Sequence, residues 1–288
     1  MDNKEKDIAI KEKKQRQKTF NGLTAKEWAS LSRNVWNDVS SPRSKKHIKH
    51  GATFPEKLIR RLITMYSNED ELIFDPFLGV GTVLEACNNT HRNGVGIELN
   101  NEFFDLAKED ANNFEGNSKI RLINDDCRNL LKHIEKNSVQ MMVTSPPYAN
   151  FIQKSLSDRK KIHKKSIIVQ DNNSQISQYS DSTKDFGNLN YSDFLLEISK
   201  LMHDLFIVTK NDGYNIWIVK DCRDTKNNIP YVSFHSDIAK IGEKNGFKFH
   251  DLIIWDQNEQ RRLMVLGYPS VFYSNQNCSF IVILRKHE

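Results

Sequence analysis

Thr144-Ser145-Pro146-Pro147-Tyr148 is the stretch of this chain best suited to chemistry. A hydroxyl, two rings without N–H donors and a phenol stand in direct succession. They follow Val139-Gln140-Met141-Met142-Val143, an apolar run that reads as a buried strand. Prolines fix φ and donate no hydrogen bond, so the strand must stop there with its carbonyls free. A serine on one side and a tyrosine ring on the other then suit a flat, polar ring that carries an amine.

A second group of residues lies upstream. Asp75-Pro76-Phe77-Leu78-Gly79-Val80-Gly81-Thr82 follows a short apolar strand and opens a helix. Glycines there let a ligand approach the backbone, and a helix N-terminus offers N–H groups and the positive end of a dipole. The third glycine of a dinucleotide fingerprint is missing, and no Gly-Lys-Ser/Thr follows to make a P-loop. Glu98 ends the next strand, roughly 20 residues later, where nucleotide-binding α/β folds place a carboxylate on ribose hydroxyls. Asp125-Asp126 ends the third strand. Three successive strands thus finish in an acid and the fourth in Pro-Pro-Tyr, and in an open α/β sheet these ends share one crevice.

The elements that must position these residues alternate. Strands are expected at 71–74, 94–99, 121–124 and 139–143, with helices at 82–88 and 101–112 and a mostly helical 127–136. A long helix (191–209), a turn at Asn211-Asp212-Gly213, a strand (214–219) and a helix (233–245) follow. Strands at 248–256 and 279–285 close the pattern as an antiparallel pair at one sheet edge. Upstream, 54–66 is an amphipathic helix, and 20–40 reads as helical with Thr24 as N-cap and Glu27 three residues on. This alternation predicts a Rossmann-like α/β fold: a mostly parallel seven-stranded sheet with helices on both faces. Residues 1–45 form an N-terminal arm and helix, and 46–288 one catalytic domain. Within it, 149–190 is polar, weakly periodic and far longer than an ordinary connection, so it reads as a disordered insert or as a loop facing substrate, a candidate DNA-recognition segment.

Composition sets bounds. The 288 residues carry a net charge of +5, 38% are hydrophobic and 27% charged. No apolar run approaches the ~18 residues of a membrane span, and the charged N-terminus has no signal-peptide core. Four scattered cysteines without a CxxC pair argue against a zinc site or a disulfide framework and fit a reducing cytoplasm. Basic clusters at 43–50 and 154–165, the latter holding Lys154, Arg159, Lys160 and Lys161, are solvated surface or phosphate-backbone contacts. Arg261 and Arg262, beside Gln257, Asn258 and Gln260, are ordinary loop polarity or readers of base edges.

Together, Asp-Pro-Phe-x-Gly-x-Gly, Ile-Glu-Leu, Asp-Asp and Thr-Ser-Pro-Pro-Tyr resemble the S-adenosylmethionine-dependent DNA amino-methyltransferases, which methylate N4 of cytosine or N6 of adenine. The resemblance covers about residues 45–285, including His50-Gly51-Ala52-Thr53-Phe54-Pro55-Glu56-Lys57-Leu58, which matches the family's helix closing over the cofactor. It implies that Asp75, Phe77, Gly79, Gly81 and Thr82 line the methionine end of S-adenosylmethionine. By the same resemblance Glu98 binds the ribose and Asp126 the adenine amine, with Asp125 as the alternative and Cys127 as backbone neighbour. Phe54, Pro55, Lys57 and Thr144 complete that site. Ser145 and the Pro146 carbonyl would accept hydrogen bonds from the target amine, with Pro147 stiffening the turn and Tyr148 stacking on the base. Serine in the motif leans towards cytosine N4; adenine N6 and an RNA amino group are the alternatives, as is a non-catalytic DNA-binding subunit. Double-stranded DNA, a cognate restriction endonuclease and a second copy of the chain are the implied partners, in a bacterial or phage-encoded cytoplasmic protein near the nucleoid.

Overall fold

The computed structural model describes residues 19–39, 54–148, 185–224, 229–261, 263 and 265–287. Ten strands and six α-helices fall within them. The first elements are α1 (Ala25–Leu31), β1 (Val35–Trp36), α2 (Glu56–Tyr66), β2 (Leu72–Asp75), α3 (Thr82–Asn89), β3 (Asn93–Glu98), α4 (Asn101–Ala111), β4 (Ile120–Asn124) and β5 (Val139–Thr144). Then come α5 (Tyr191–Val208), β6 (Thr209–Val219), β7 (Cys222–Asp224), β8 (Ile229–Val232), α6 (Phe234–Lys244), β9 (Lys248–Asp256) and β10 (Cys278–Arg285).

The main sheet has eight strands in the order β1-β9-β10-β6-β5-β2-β3-β4, with β7 and β8 as a separate ribbon. Only β10 runs antiparallel to its neighbours. The expected seven strands are present, and the eighth comes from the region read as one helix over 20–40. That helix stops at Leu31, and Val35–Trp36 adds a parallel edge to β9. Thr24 and Glu27 do form the expected capping box. Trp36 is buried at the edge, whereas Trp28 stays exposed against Phe20. Two further expectations are corrected locally. The segment after Asp126 is a short 3₁₀ helix, Cys127–Lys132. The turn at 211–213 is absorbed into β6, which starts at Thr209 with Asp212 at φ 62° and an irregular register against β5.

Alternating residues of each central strand feed opposite cores, as the two-residue period of a strand requires. Ile73, Met141, Val143, Ile216, Ile218, Ile281 and Ile283 pack under α2 and α3. Phe74, Met142, Trp217, Val219, Val282 and Leu284 pack under α5 and α6. Burial on both faces explains why these strands read as unbroken apolar runs. Residues 185–190 counted by composition in the polar insertion, yet Asp185 and Phe186 are buried and a 3₁₀ helix at Phe186–Asn188 leads into α5.

The strand order places the candidate residues. From β2 the chain runs outward through β3 to β4, then returns to lay β5 on the other side of β2. Strand order therefore reverses between β2 and β5, and such a switch point opens a crevice at the carboxyl ends of the strands. Asp75 ends one of these strands and Thr144 the other.

Candidate active site

At the switch point the two motifs touch. Asp75 is buried, and its Oδ1 accepts a hydrogen bond from the Thr144 hydroxyl at 2.6 Å and from the Phe77 N–H at 3.0 Å. Burial pushes its carboxyl up to about 7, against the pull of the Thr144 and Phe77 donors. Thr144 is fully buried, and its hydroxyl is spent on Asp75.

The glycine loop is held by Glu98. Gly79 and Gly81 take φ values of 57° and 88°, a region that disfavours other residues, and Gly81 starts α3 without a side-chain cap. The Gly79 N–H donates to Glu98 Oε2 at 2.7 Å, and the Asn100 N–H donates to Oε1 at 2.8 Å. Each carboxylate oxygen thus carries one backbone donor and keeps a further lone pair. A Cβ at Gly96 would come within 2.6 Å of the Leu78 side chain, so glycine in β3 lets the loop lie flat on the strand. Burial raises Glu98 to about 7, with Asp75 and Asp185 adding repulsion.

The tandem acids separate into different tasks. Asp125 pairs with His133 Nε2 at 2.7 Å and accepts from Asn129 Nδ2 at 2.9 Å, which holds its carboxyl down at about 2. It serves the short helix that follows it. Asp126 accepts the Arg128 N–H and both Nε (2.9 Å) and Nη2 (2.7 Å) of that guanidinium. Arg128 reaches on to Glu197 of α5 at 3.2 Å and lies over the Phe186 ring. Phe186 in turn meets Phe77 edge-on at 5.3 Å. Beside it Asp185 is buried, accepts the Gly187 N–H at 2.8 Å, and is raised by that burial. Cys127 is buried next to Asp126, and burial pushes its thiol far up. Sequence reasoning missed Arg128, Asp185 and Phe186. Only the Asp-x-Gly turn, with a phenylalanine inside it, signalled the last two.

Beyond Thr144, Ser145 is half-buried and Pro146 buried. The Tyr148 ring packs edge-on against Phe234 at 5.9 Å. Burial pushes its phenol up to about 12, opposed by hydrogen bonds from the Ser145 side chain and the Lys220 backbone. The hydroxyl is therefore turned into the protein, where it holds Ser145. The neighbouring backbone hangs on Asp221, also missed from sequence. Its buried carboxylate accepts the His235 N–H at 3.1 Å and the Tyr231 hydroxyl at 2.7 Å, and pairs with His235 Nδ1 at 2.8 Å. It thereby caps α6, whose Ser233 gives no side-chain cap, and fastens the β7–β8 ribbon to the strand end.

The other expected residues are placed as follows. Phe54 packs with the core under α2, Pro55 precedes that helix, and Lys57 Nζ donates to the Asp38 carbonyl at 2.7 Å. Arg261 follows a short 3₁₀ turn and lies within electrostatic reach of the Tyr148 phenol. Lys154, Arg159, Lys160, Lys161 and Arg262 lie outside the described residues, as do the basic cluster 43–50 and most of 149–190. Among the described residues no three of His, Cys, Asp or Glu group as metal ligands, and no helix is long and apolar enough to cross a membrane.

Residues 2–109 match the sequence profile of the N6/N4 DNA methylase family. Type II methyltransferase M.HpaI of Haemophilus parainfluenzae is 39% identical over 77 residues, 26% of this chain and 24% of that protein. Orphan methyltransferase M.BamHII of Bacillus amyloliquefaciens is 35% identical over 85 residues, 28% and 32%. Type II methyltransferase M.Cfr9I of Citrobacter freundii is 43% identical over 75 residues, 26% and 24%. These matches span about a quarter to a third of the length of the curated relatives. A TehB-like S-adenosylmethionine-dependent methyltransferase from Corynebacterium glutamicum aligns at a TM-score of 0.44 with 13% identity, over 79% of this chain and 86% of that one. With its mostly parallel, Rossmann-like sheet, the chain is similar to the S-adenosylmethionine-dependent DNA amino-methyltransferases.

Proposed function

We propose that this protein transfers a methyl group from S-adenosylmethionine to an exocyclic amine in duplex DNA, at N4 of cytosine. The observation that carries the reading is the Thr144–Asp75 hydrogen bond at the switch point. It joins the end of the glycine-loop strand directly to the strand that presents Ser-Pro-Pro-Tyr. A cofactor on one and an amine on the other would meet there.

The residues fit that cofactor. Asp75, Glu98 and Asp185 are three buried carboxyls, and the first and third repel charge on Glu98. A ligand with a sulfonium and an ammonium group would relieve that repulsion. The free lone pairs of Glu98 suit a ribose diol, and the half-buried Phe77 offers an apolar surface. When bound, S-adenosylmethionine supplies an electrophilic methyl carbon on sulfur. The chain's own residues do the positioning. The amine lone pair of a base is conjugated with its ring and attacks poorly. The Ser145 oxygen and the Pro146 carbonyl would accept its N–H groups and hold the nitrogen's lone pair towards the methyl. A Ser145 hydroxyl committed to Tyr148 keeps its lone pairs for that task. Orientation of this kind lowers a barrier by several kcal/mol. The base must first leave the duplex, at a cost of a few kcal/mol.

DNA would lie across the edge where all these strands end, reached by Arg261 and, in this reading, by Lys154, Arg159, Lys160, Lys161 and Arg262. A restriction endonuclease and a second copy of the chain remain the proposed partners. The test is mass spectrometry of nucleosides from DNA incubated with protein and S-adenosylmethionine. N4-methylcytosine is expected; N6-methyladenine would overturn the base assignment, and no methylated base would overturn the reaction. Ser145→Ala should abolish transfer while cofactor binding stays within about twofold, since the serine touches only the amine.

A further inference from the structure

The connection between β9 and β10 carries a structured hairpin whose apolar tip is exposed. β10 runs antiparallel to both β6 and β9, so β9 is parallel to β6 and its end at Asp256 lies on the same edge as Thr144 and Asp75. The connection 257–277 rises from that edge. Gln257 N–H to the Asn277 carbonyl closes its base at 2.9 Å. Further out, Leu266 and Tyr273 form an antiparallel bridge, and the Val271 N–H donates to the Gly267 carbonyl at 2.8 Å. Gly267 is needed for this turn: its φ is +78°, and a Cβ there would lie 2.0 Å from the Val271 carbonyl oxygen.

The hairpin is braced on the pocket side. Arg223 of β7 places its guanidinium over the Tyr273 ring at 5.0 Å and donates to Ser274 Oγ at 3.4 Å. That ribbon is the one fastened by Asp221 beside Tyr148. At the tip, by contrast, Val265, Tyr268 and Phe272 are 82%, 81% and 90% exposed, with Leu263 and Val271 also out in solvent. Burying even one such side chain is worth about 1.5–3 kcal/mol, so a turn built to keep several of them in water is built for a partner.

The neighbouring candidate site indicates which partner. An exocyclic amine in duplex DNA reaches such a site only when its base has left the stack, and the step left open can take an apolar wedge. Arg261, at the hairpin's base, puts a cation on the edge where the phosphates of such a duplex would arrive. Resting on the amino-methyltransferase reading above, we infer that this hairpin enters duplex DNA beside the target nucleotide and that Phe272 takes the place of the extruded base.

The test uses the full chain and two oligonucleotide duplexes containing the base found modified by mass spectrometry and sequencing. One pairs that base normally; the other sets it opposite an abasic gap, where little must be unstacked. Phe272→Ala should melt at the wild-type temperature, because its ring is 90% exposed. It should lose at least about tenfold in kcat/KM on the paired duplex and recover to within about threefold of wild type on the gapped one. Phe272→Trp should keep most activity on both. Equal activity of Phe272→Ala and wild type on the paired duplex overturns the inference. So does an equal loss on both duplexes. Sedimentation showing that the substitution splits a dimer while DNA activity is untouched would assign the tip to a second copy and likewise overturn it. A wild-type protein that methylates no DNA refutes the underlying reading instead.

Discussion

Glu98→Gln separates the holding of the glycine loop from the cofactor role proposed for the same carboxylate. In the wild type each oxygen takes one backbone N–H, from Gly79 at 2.7 Å and from Asn100 at 2.8 Å. Hydrogen bonds to a charged acceptor contribute about 1.5–3 kcal/mol each, and a buried donor left facing an amide NH₂ costs a similar amount. Glutamine keeps one acceptor and turns a donor towards the other N–H, so the net cost is about 2–4 kcal/mol. Part of it falls on the free protein as a displaced glycine loop, and the rest appears on binding. S-adenosylmethionine should then bind about 10–100-fold more weakly at pH 8. The pH dependence is the sharper arm. Burial, with Asp75 and Asp185 nearby, raises Glu98 to about 7, while a ribose diol needs the ionised form as acceptor. Binding below pH 7 must therefore expel a proton, and affinity should rise up to about tenfold per pH unit towards 7 and then flatten. Calorimetry in buffers of different ionisation enthalpy counts that proton. Asp75 titrates in the same range, so the difference between wild type and Glu98→Gln isolates Glu98. Wild-type affinity in the variant at pH 8, or the same number of protons released by both proteins at pH 6.5, would refute the reasoning.

Thr144→Val removes the donor 2.6 Å from Asp75 while keeping shape; a loss of about 1–3 kcal/mol in thermal melts at pH 8, with weaker cofactor binding, is expected. Asp221→Ala strips the acceptor from the start of α6, from Tyr231 and from His235; calorimetry should show about 2–4 kcal/mol lost, on the order of 5–10 °C in Tm. Leu62→Ala, in the buried face of α2, should cost about 2–5 kcal/mol in urea unfolding and leave the cofactor affinity of the folded protein unchanged.

The crevice was legible in the sequence because its parts obey local rules. A strand ending in Asp-Pro, glycines before a helix and a strand stopped by two prolines each announce themselves within a few residues. Glu98 and Asp126 could be placed because strand ends in an α/β sheet converge. The tandem acids could not be told apart, since only tertiary contacts divide them: Asp125 falls to His133 and Asn129, Asp126 to Arg128. Asp185 and Phe186 were hidden by their company, a polar segment whose composition says nothing of the two residues that fold back onto Phe77. Asp221 was invisible for a similar reason, because its partners lie 10 and 14 residues away on other elements. The edge strand Val35–Trp36 was read as helix because two residues carry too little pattern to compete with the capped turn before them.

The site also holds a conflict that the proposed ligand would resolve, and Asp75→Asn tests it. Asp75 has a folded value of about 7 against an ordinary 3.8, so the folded chain holds its proton more tightly than the unfolded chain. Between about pH 4 and 7 the native state then binds more protons, and stability falls as pH rises through that window before levelling off. The loss from this one group amounts to a few kcal/mol by pH 8. An asparagine needs no ionisation and still accepts from Thr144 and Phe77. Asp75→Asn should therefore match the wild type's stability below about pH 4 and exceed it at pH 8 in thermal melts without cofactor. Saturating S-adenosylmethionine should reverse the order, because its positive charge favours an ionised Asp75 and gains nothing from an amide. A variant less stable than wild type at pH 8 without ligand would mean that Asp75 is held charged by the fold alone. The acidic crevice would then be a structural network rather than a receptor awaiting a cation.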